Sequence, residues 1–86
     1  MSTYALVDES LESLISDAVA RARRRAGLSQ RELAVRAGLT QAAVSRLESG
    51  DRLPRLETLQ ALAEASGHVL EIRLKRPRRT RTATPS

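Results

Sequence analysis

The sequence predicts an all-α fold, a small helical bundle followed by one β-strand near the C-terminal end. Three observations predict it. Apolar residues recur at helical spacing, three and four apart, in four successive stretches. Glycines at 27, 38, 50 and 67 punctuate those stretches. After the last glycine the apolar period changes from helical to alternating, in "HVLEIRL".

Residues 1–8 form a lead-in that either extends the first helix or runs extended before it. From about Glu9, the residues Leu11, Leu14, Ile15, Ala18, Val19 and Ala22 mark the apolar face of the first helix. Gly27 stops it, and Arg23, Arg24 and Arg25 suit the negative end of its dipole. "LSQRELAVRAG" opens the second helix, with Ser29 and Glu32 in the S-x-x-E capping-box pattern. Leu33, Ala34 and Ala37 are its buried stripe, and Gly38 ends it.

The third helix lies in "GLTQAAVSRLESG", with Thr40 as its cap and Val44 and Leu47 facing inward. Its outward face holds Ala42, Ser45, Arg46 and Ser49, with Gln41 near the N-terminal tip. That face carries no bulky side chain and no acid. "GDRLP" is a turn, and a fourth helix follows with Leu56, Leu59, Leu62 and Ala63 inward, closed by Gly67.

In "HVLEIRL", Leu70, Ile72 and Leu74 alternate with Glu71 and Arg73, the pattern of a strand over residues 68–74. A lone strand has no partner in its own chain, so a second copy is its expected partner, with Val69, Leu70, Ile72 and Leu74 at the dimer contact. The alternative is an extension packed irregularly on the bundle. Residues 75–86 combine prolines, threonines and bases and are expected to be disordered.

The charge distribution narrows the function. Fourteen of the fifteen bases are arginine, which suits bidentate phosphate contact better than lysine does. Net charge is +5, yet residues 1–74 balance, because the first twenty residues hold only acids and the tail after Leu74 only bases. Eight arginines concentrate in residues 21–52, and Lys75, Arg76, Arg78, Arg79 and Arg81 form a basic tail fitted to non-specific DNA contact. The chain has no cysteine and one histidine, His68, so neither a metal site nor a cofactor is expected. No cysteine, histidine pair or phosphate-binding glycine loop supports an enzyme. With no membrane-length apolar run and no secretory signal, the expectation is a cytoplasmic protein without membrane contact.

Two short helices joined at a glycine, the second polar and slim outside, are the parts of a helix-turn-helix. The major groove of DNA, about 12 Å wide, admits a helix whose outer side chains are modest. Ala42 and Ser45 permit close approach, while Gln41 and Arg46 can reach base edges or phosphate.

Gln30, Glu32, Leu33, Ala34, Gly38, Gln41, Val44, Ser45, Leu47, Glu48, Gly50, Pro54, Leu59, Leu62 and Ala63 stand at characteristic spacing. In these residues the chain resembles the Cro/repressor-type (XRE) helix-turn-helix family, over about residues 19–67. The resemblance implies a lambda-repressor-like bundle of four or five helices that binds double-stranded operator DNA as a homodimer. Residues 9–67 would be the DNA-binding domain.

The resemblance also implies site roles. Gln41, Ala42, Ser45 and Arg46 match base-reading positions, Gln30 matches a backbone-contact glutamine that lies close to phosphate and base alike, and Thr40 and Ser49 match backbone-contact positions. Ser29, Arg52 and Arg55 join them as candidate backbone contacts. Arg23 and Glu48 match a pair that forms an ion pair between the first helix and the recognition helix in several relatives. One departure is Arg55, which stands where many relatives have a Ser or Thr cap. The C-terminal segment resembles that of HipB-like antitoxins, and the chain's size is similar to HigA-like ones. The expected function is therefore a transcriptional regulator, a repressor on a palindromic operator. The alternative is an antitoxin that neutralises a partner toxin and autoregulates its operon, with the acidic segment 1–20 either facing the toxin or simply solvated.

Overall fold

The computed structural model describes residues 10–77. Four helices follow in order among them: α1 Leu11–Arg25, α2 Gln30–Ala37, α3 Gln41–Glu48 and α4 Leu56–Ala65. The lead-in at residues 1–8 and the tail residues Arg78, Arg79 and Arg81 lie outside the described residues.

Local chemistry sets the helix ends. Ser10 caps α1, its hydroxyl accepting from the Ser13 N–H at 3.0 Å. The capping box at Ser29 is complete: the Glu32 N–H donates to Ser29 Oγ at 3.0 Å, and the Ser29 N–H donates to Glu32 Oε1 at 2.8 Å. Gly38 ends α2 with φ 75°, left-handed backbone that an L side chain adopts only under strain. The next N–H, of Leu39, reaches back to the Ala34 carbonyl at 2.8 Å and closes the turn. One residue later Thr40 caps α3, accepting from the Ala43 N–H at 3.0 Å. The two helices are therefore joined by three residues whose conformations are each separately determined.

Arg55 occupies the cap position of α4 and makes no capping hydrogen bond, so the cap that its sequence position lacked is not replaced. Such a loss weakens a helix start by about 1 kcal/mol.

The core is one cluster. Val19 from α1, Leu28 from the first turn, Leu33 and Ala34 from α2, Val44 and Leu47 from α3 and Leu62 from α4 meet in it. Leu33 and Val44 are completely shielded from solvent. α2 packs on α3 and α4, and α1 packs across both α3 and α4. Two serines inside the bundle are satisfied by helix carbonyls: Ser16 donates to Ser13 O at 3.0 Å, and Ser66 to Leu62 O at 2.8 Å.

Two expectations need correction. The first concerns the strand. Residues 68–77 carry no strand, and the irregular alternative describes them. A strand is defined by its hydrogen-bonded neighbour, and none stands beside this segment among the described residues. His68 and Leu70 instead lean on the bundle, half-buried, while Val69, Ile72 and Leu74 are exposed. The second concerns the inward faces of α1 and α4. Leu56 is expected to face inward and Leu11 and Leu14 lie on the apolar face of α1, yet each is more than half exposed. They line an open apolar groove of about 690 Å³ with Leu59, Leu70 and Ile72. Periodicity identified an apolar face, but nothing among the described residues covers this part of it.

Candidate nucleic-acid interface

The outward face of α3 follows from the packing of its inward face. With Val44 and Leu47 buried, the helical period leaves Gln41, Ala42, Ser45 and Arg46 on the solvent side, and all four are exposed. The ion pairs among the described residues are Arg23–Glu48 and Arg73–Glu71, so Arg46 is not engaged in one of them. The result is a slim helix edge with one amide and one guanidinium standing above alanine and serine. It can present a paired donor and acceptor from Gln41 and a fork of donors from Arg46.

Polar atoms suited to phosphate flank this edge. Thr40 Oγ1 and Ser29 Oγ accept capping bonds, which leaves each hydroxyl proton free to donate outward. The first-turn N–H groups of α2 and α3 add positive potential at the same helix ends. Ser49 lies at the far end of α3, its hydroxyl donating to the Arg46 carbonyl at 2.7 Å. Arg52 and Arg55 are exposed in and after the turn that follows α3. Lys75 and Arg76 are exposed at the end of the described chain.

Behind the edge lies an ionic brace. Arg23 Nε donates to Glu48 Oε2 at 2.7 Å and its Nη2 to Glu48 Oε1 at 2.9 Å. The remaining Arg23 nitrogen, Nη1, donates to the Leu28 carbonyl at 2.9 Å. The side chains are 14% and 7% exposed, so the pair is largely out of water. The resemblance had pointed to this pair. It had not pointed to a third member: Gln30 Nε2 donates to the same Glu48 Oε1 at 3.0 Å.

The titration behaviour of the brace follows from these contacts. Burial pushes the Glu48 carboxyl up, but hydrogen bonds from Arg23 and Gln30 and the charges of Arg23 and Arg24 outweigh it. Glu48 therefore lies below the usual carboxylate range and is ionised at neutral pH. The Arg23 guanidinium is raised, chiefly by its hydrogen bond to Glu48. Glu32 is also lowered, by the backbone N–H of Ser29 and then by its side chain.

The structure thus brings Gln30, Glu48 and Arg23 into direct contact and arrays Gln41, Ala42, Ser45 and Arg46 along one edge. Sequence reasoning overlooked Ser10 as a cap, although a serine just before an apolar run is the ordinary signal. It also overlooked the Gln30–Glu48 contact, which spans eighteen residues and has no local signature. Among the described residues, no cluster of His, Cys, Asp or Glu could hold a metal, and no helix is long and apolar enough to cross a membrane.

Comparison with known proteins agrees with this geometry. A family profile described as helix-turn-helix matches residues 19–67, from the middle of α1 to the glycine after α4. The chain is also similar to the uncharacterised HTH-type transcriptional regulator y4dJ of Sinorhizobium fredii. The two are 42% identical over 57 residues, which cover 66% of this chain and 74% of that protein.

Proposed function

The chain belongs to the helix-turn-helix family, and on that premise we propose that it is a DNA-binding transcriptional regulator, acting in the cytoplasm as a homodimeric repressor on a palindromic operator. The observation that carries this reading is the exposed edge of α3. It is slim enough for the major groove and bears Gln41 and Arg46 at base-reading positions. The capped N-termini of α2 and α3, with Ser29, Thr40, Arg52 and Arg55, supply the phosphate contacts that set its register.

The homodimer is supported by the apolar groove between α1, α4 and the C-terminal segment. It gathers the exposed side chains of Leu11, Leu14, Leu56, Val69 and Ile72 into one contiguous apolar surface, the kind of patch that marks an interaction site. No residue of α2 or α3 lines it, so a second copy seated there leaves both recognition helices free. A two-fold dimer presents those helices to sites about 34 Å apart, one turn of DNA.

The same separation keeps the antitoxin reading alive, since a toxin in the groove also leaves α3 free. Selection of bound duplexes from a randomised pool tests the main reading. The expected product is an inverted repeat whose half-sites are one helical turn apart. Enrichment of no sequence would overturn sequence-specific binding, and an asymmetric single site would overturn the dimeric repressor. A stable complex with a second protein that blocks self-association would move the assignment to the antitoxin.

A further inference from the structure

Gln30 opens α2 and Glu48 ends α3, so their contact joins the two halves of the motif at the edge of the interface. The chemistry of the contact fixes its direction. An ionised carboxylate has no proton to donate, so only the NH₂ edge of the Gln30 amide can face Glu48 Oε1. The other flip would set the amide oxygen against a carboxylate oxygen. Glu48 itself cannot turn away, because both of its oxygens are held by the Arg23 guanidinium and Arg23 is tied in turn to Leu28 O. Gln30 is half-buried, with one amide N–H committed inward. Its Oε1 and its second N–H take no part in that bond, and no side-chain polar atom among the described residues is buried without a partner.

We propose that Glu48 is a positioning residue for DNA recognition: braced by Arg23, it locks the Gln30 amide into one flip, so that Gln30 offers DNA a fixed acceptor beside a fixed donor. This rests on the DNA-binding reading above and deepens it. A freely rotating glutamine reads donors and acceptors in either order and discriminates weakly. A locked one distinguishes them, because the reversed order places like groups together. Glu48 achieves this without touching DNA.

In the unsubstituted free protein, the two Gln30 side-chain amide protons are followed by NMR as pH is lowered. They should be well separated at neutral pH and should move with the titration of Glu48, below the ordinary glutamate range. Glu48→Gln should abolish that movement. Amide protons that ignore the titration of Glu48 would overturn the lock, whether or not the protein binds DNA.

The second arm uses the selected operator and its single-base-pair and neutral-phosphate variants, with Gln30→Ala, Glu48→Gln and the double substitution, each verified as folded by circular dichroism. Glu48→Gln should lose roughly tenfold discrimination at the position that Gln30→Ala affects, and the double variant should lose no more than either alone. A uniform loss over all sequences, adding independently to that of Gln30→Ala, would mean that Glu48 is structural only. If no operator is found while the amide titration behaves as expected, the DNA-binding reading fails and the lock stands as a structural feature.

Discussion

Arg23 meets Glu48 side-on, two hydrogen bonds of 2.7 and 2.9 Å joining the last turn of α1 to the last residue of α3. α1 is the longest described helix, so this contact anchors the short helix α3 to the most extensive element of the fold. The pair matters less for its own net energy than for what either half becomes without the other. Removing one partner of a shielded pair leaves a charge with neither water nor counter-ion. Arg23→Ala should therefore destabilise the fold by about 3 kcal/mol in chemical denaturation. A loss of only a few tenths, as for an exposed pair, would show that water reaches the site.

The same contact sets a pH dependence. The Glu48 carboxyl is lowered in the folded chain despite its burial, because hydrogen bonds from Arg23 and Gln30 outweigh desolvation. A lowered folded value means that its contribution is fully present above the unfolded value of about 4.3 and is lost as pH falls through the folded value. Arg23, raised, stays charged throughout this range. Glu48→Gln should flatten the acid side of the stability profile and leave the neutral side parallel to the parent. An unchanged acid slope would place the titrating groups elsewhere.

Arg55 offers a separable test. It stands at the cap of α4 with extended backbone, φ −72° and ψ 157°, the geometry of a capping residue, but makes no capping bond. Arg55→Ser should stabilise the fold by up to about 1 kcal/mol, read as a rise in the thermal midpoint. The same change removes an exposed cation next to the interface, so DNA affinity should fall as stability rises. If affinity is unchanged, Arg55 does not contact phosphate.

What the residues disclose by themselves is local, and the distant Arg23–Glu48 pair was legible only through the family resemblance. Ser29 with Glu32, Gly38 and Thr40 are turn and cap signals whose geometry depends on neighbours within three or four residues. Val44 and Leu47 were legible because a helical period identifies a buried face. The Gln30 hydrogen bond to Glu48 was not, since it exists only once α2 and α3 have packed. Leu11, Leu14 and Leu56 show the limit of periodicity, which reports an apolar face but not whether anything lies on it. "HVLEIRL" shows a related limit: alternation states a capacity for pairing, and a ladder needs a second strand that these residues do not contain.

On α3, Gln41→Ala and Arg46→Ala should each relax preference at one base pair in each half-site by about 1–3 kcal/mol, while Arg24→Ala should weaken all sequences alike. Gln41 and Arg46 stand on the exposed edge of α3. Arg24 is exposed at the end of α1, off that edge. Repeating the randomised selection with each variant makes the comparison. Unchanged preference in both α3 variants would remove that helix as the reader.

The basic tail should add affinity without selectivity. Lys75 and Arg76 are exposed, and Arg78, Arg79 and Arg81 follow them in sequence with no acid or apolar anchor between. Such a segment is expected to act through counterion release, in which each phosphate neutralised adds about one unit to the salt slope. Truncation after Leu74 should weaken binding to operator and unrelated duplex equally and flatten the salt dependence of both. Unchanged slopes would show that the tail stays off the DNA.

The dimer prediction follows from two groups of exposed apolar residues that adjoin one another. Leu11, Leu14 and Leu56 line the groove from α1 and α4, while Val69 and Ile72 stand in the C-terminal segment at its edge. A two-fold operation pairs the same patch with itself, so one copy's segment can meet the other's groove twice over. Each of these side chains is already partly shielded, so covering the rest contributes about 1 kcal/mol apiece, enough to offset part of the cost of association. A charge placed in the groove opposes this directly. Leu14 is already half exposed in the single chain, so Leu14→Glu should leave the monomer fold and its helicity intact. Ile72→Asp acts from the other side of the same contact. Both variants should sediment as monomers at micromolar concentration where the parent sediments as a dimer. Both should also lose operator affinity by on the order of a hundredfold, because each half-site must then be held without the effective concentration of the other. Single half-sites should bind parent and variants alike. A parent that is monomeric at that concentration, or variants that remain tight dimers, would remove the groove as the interface.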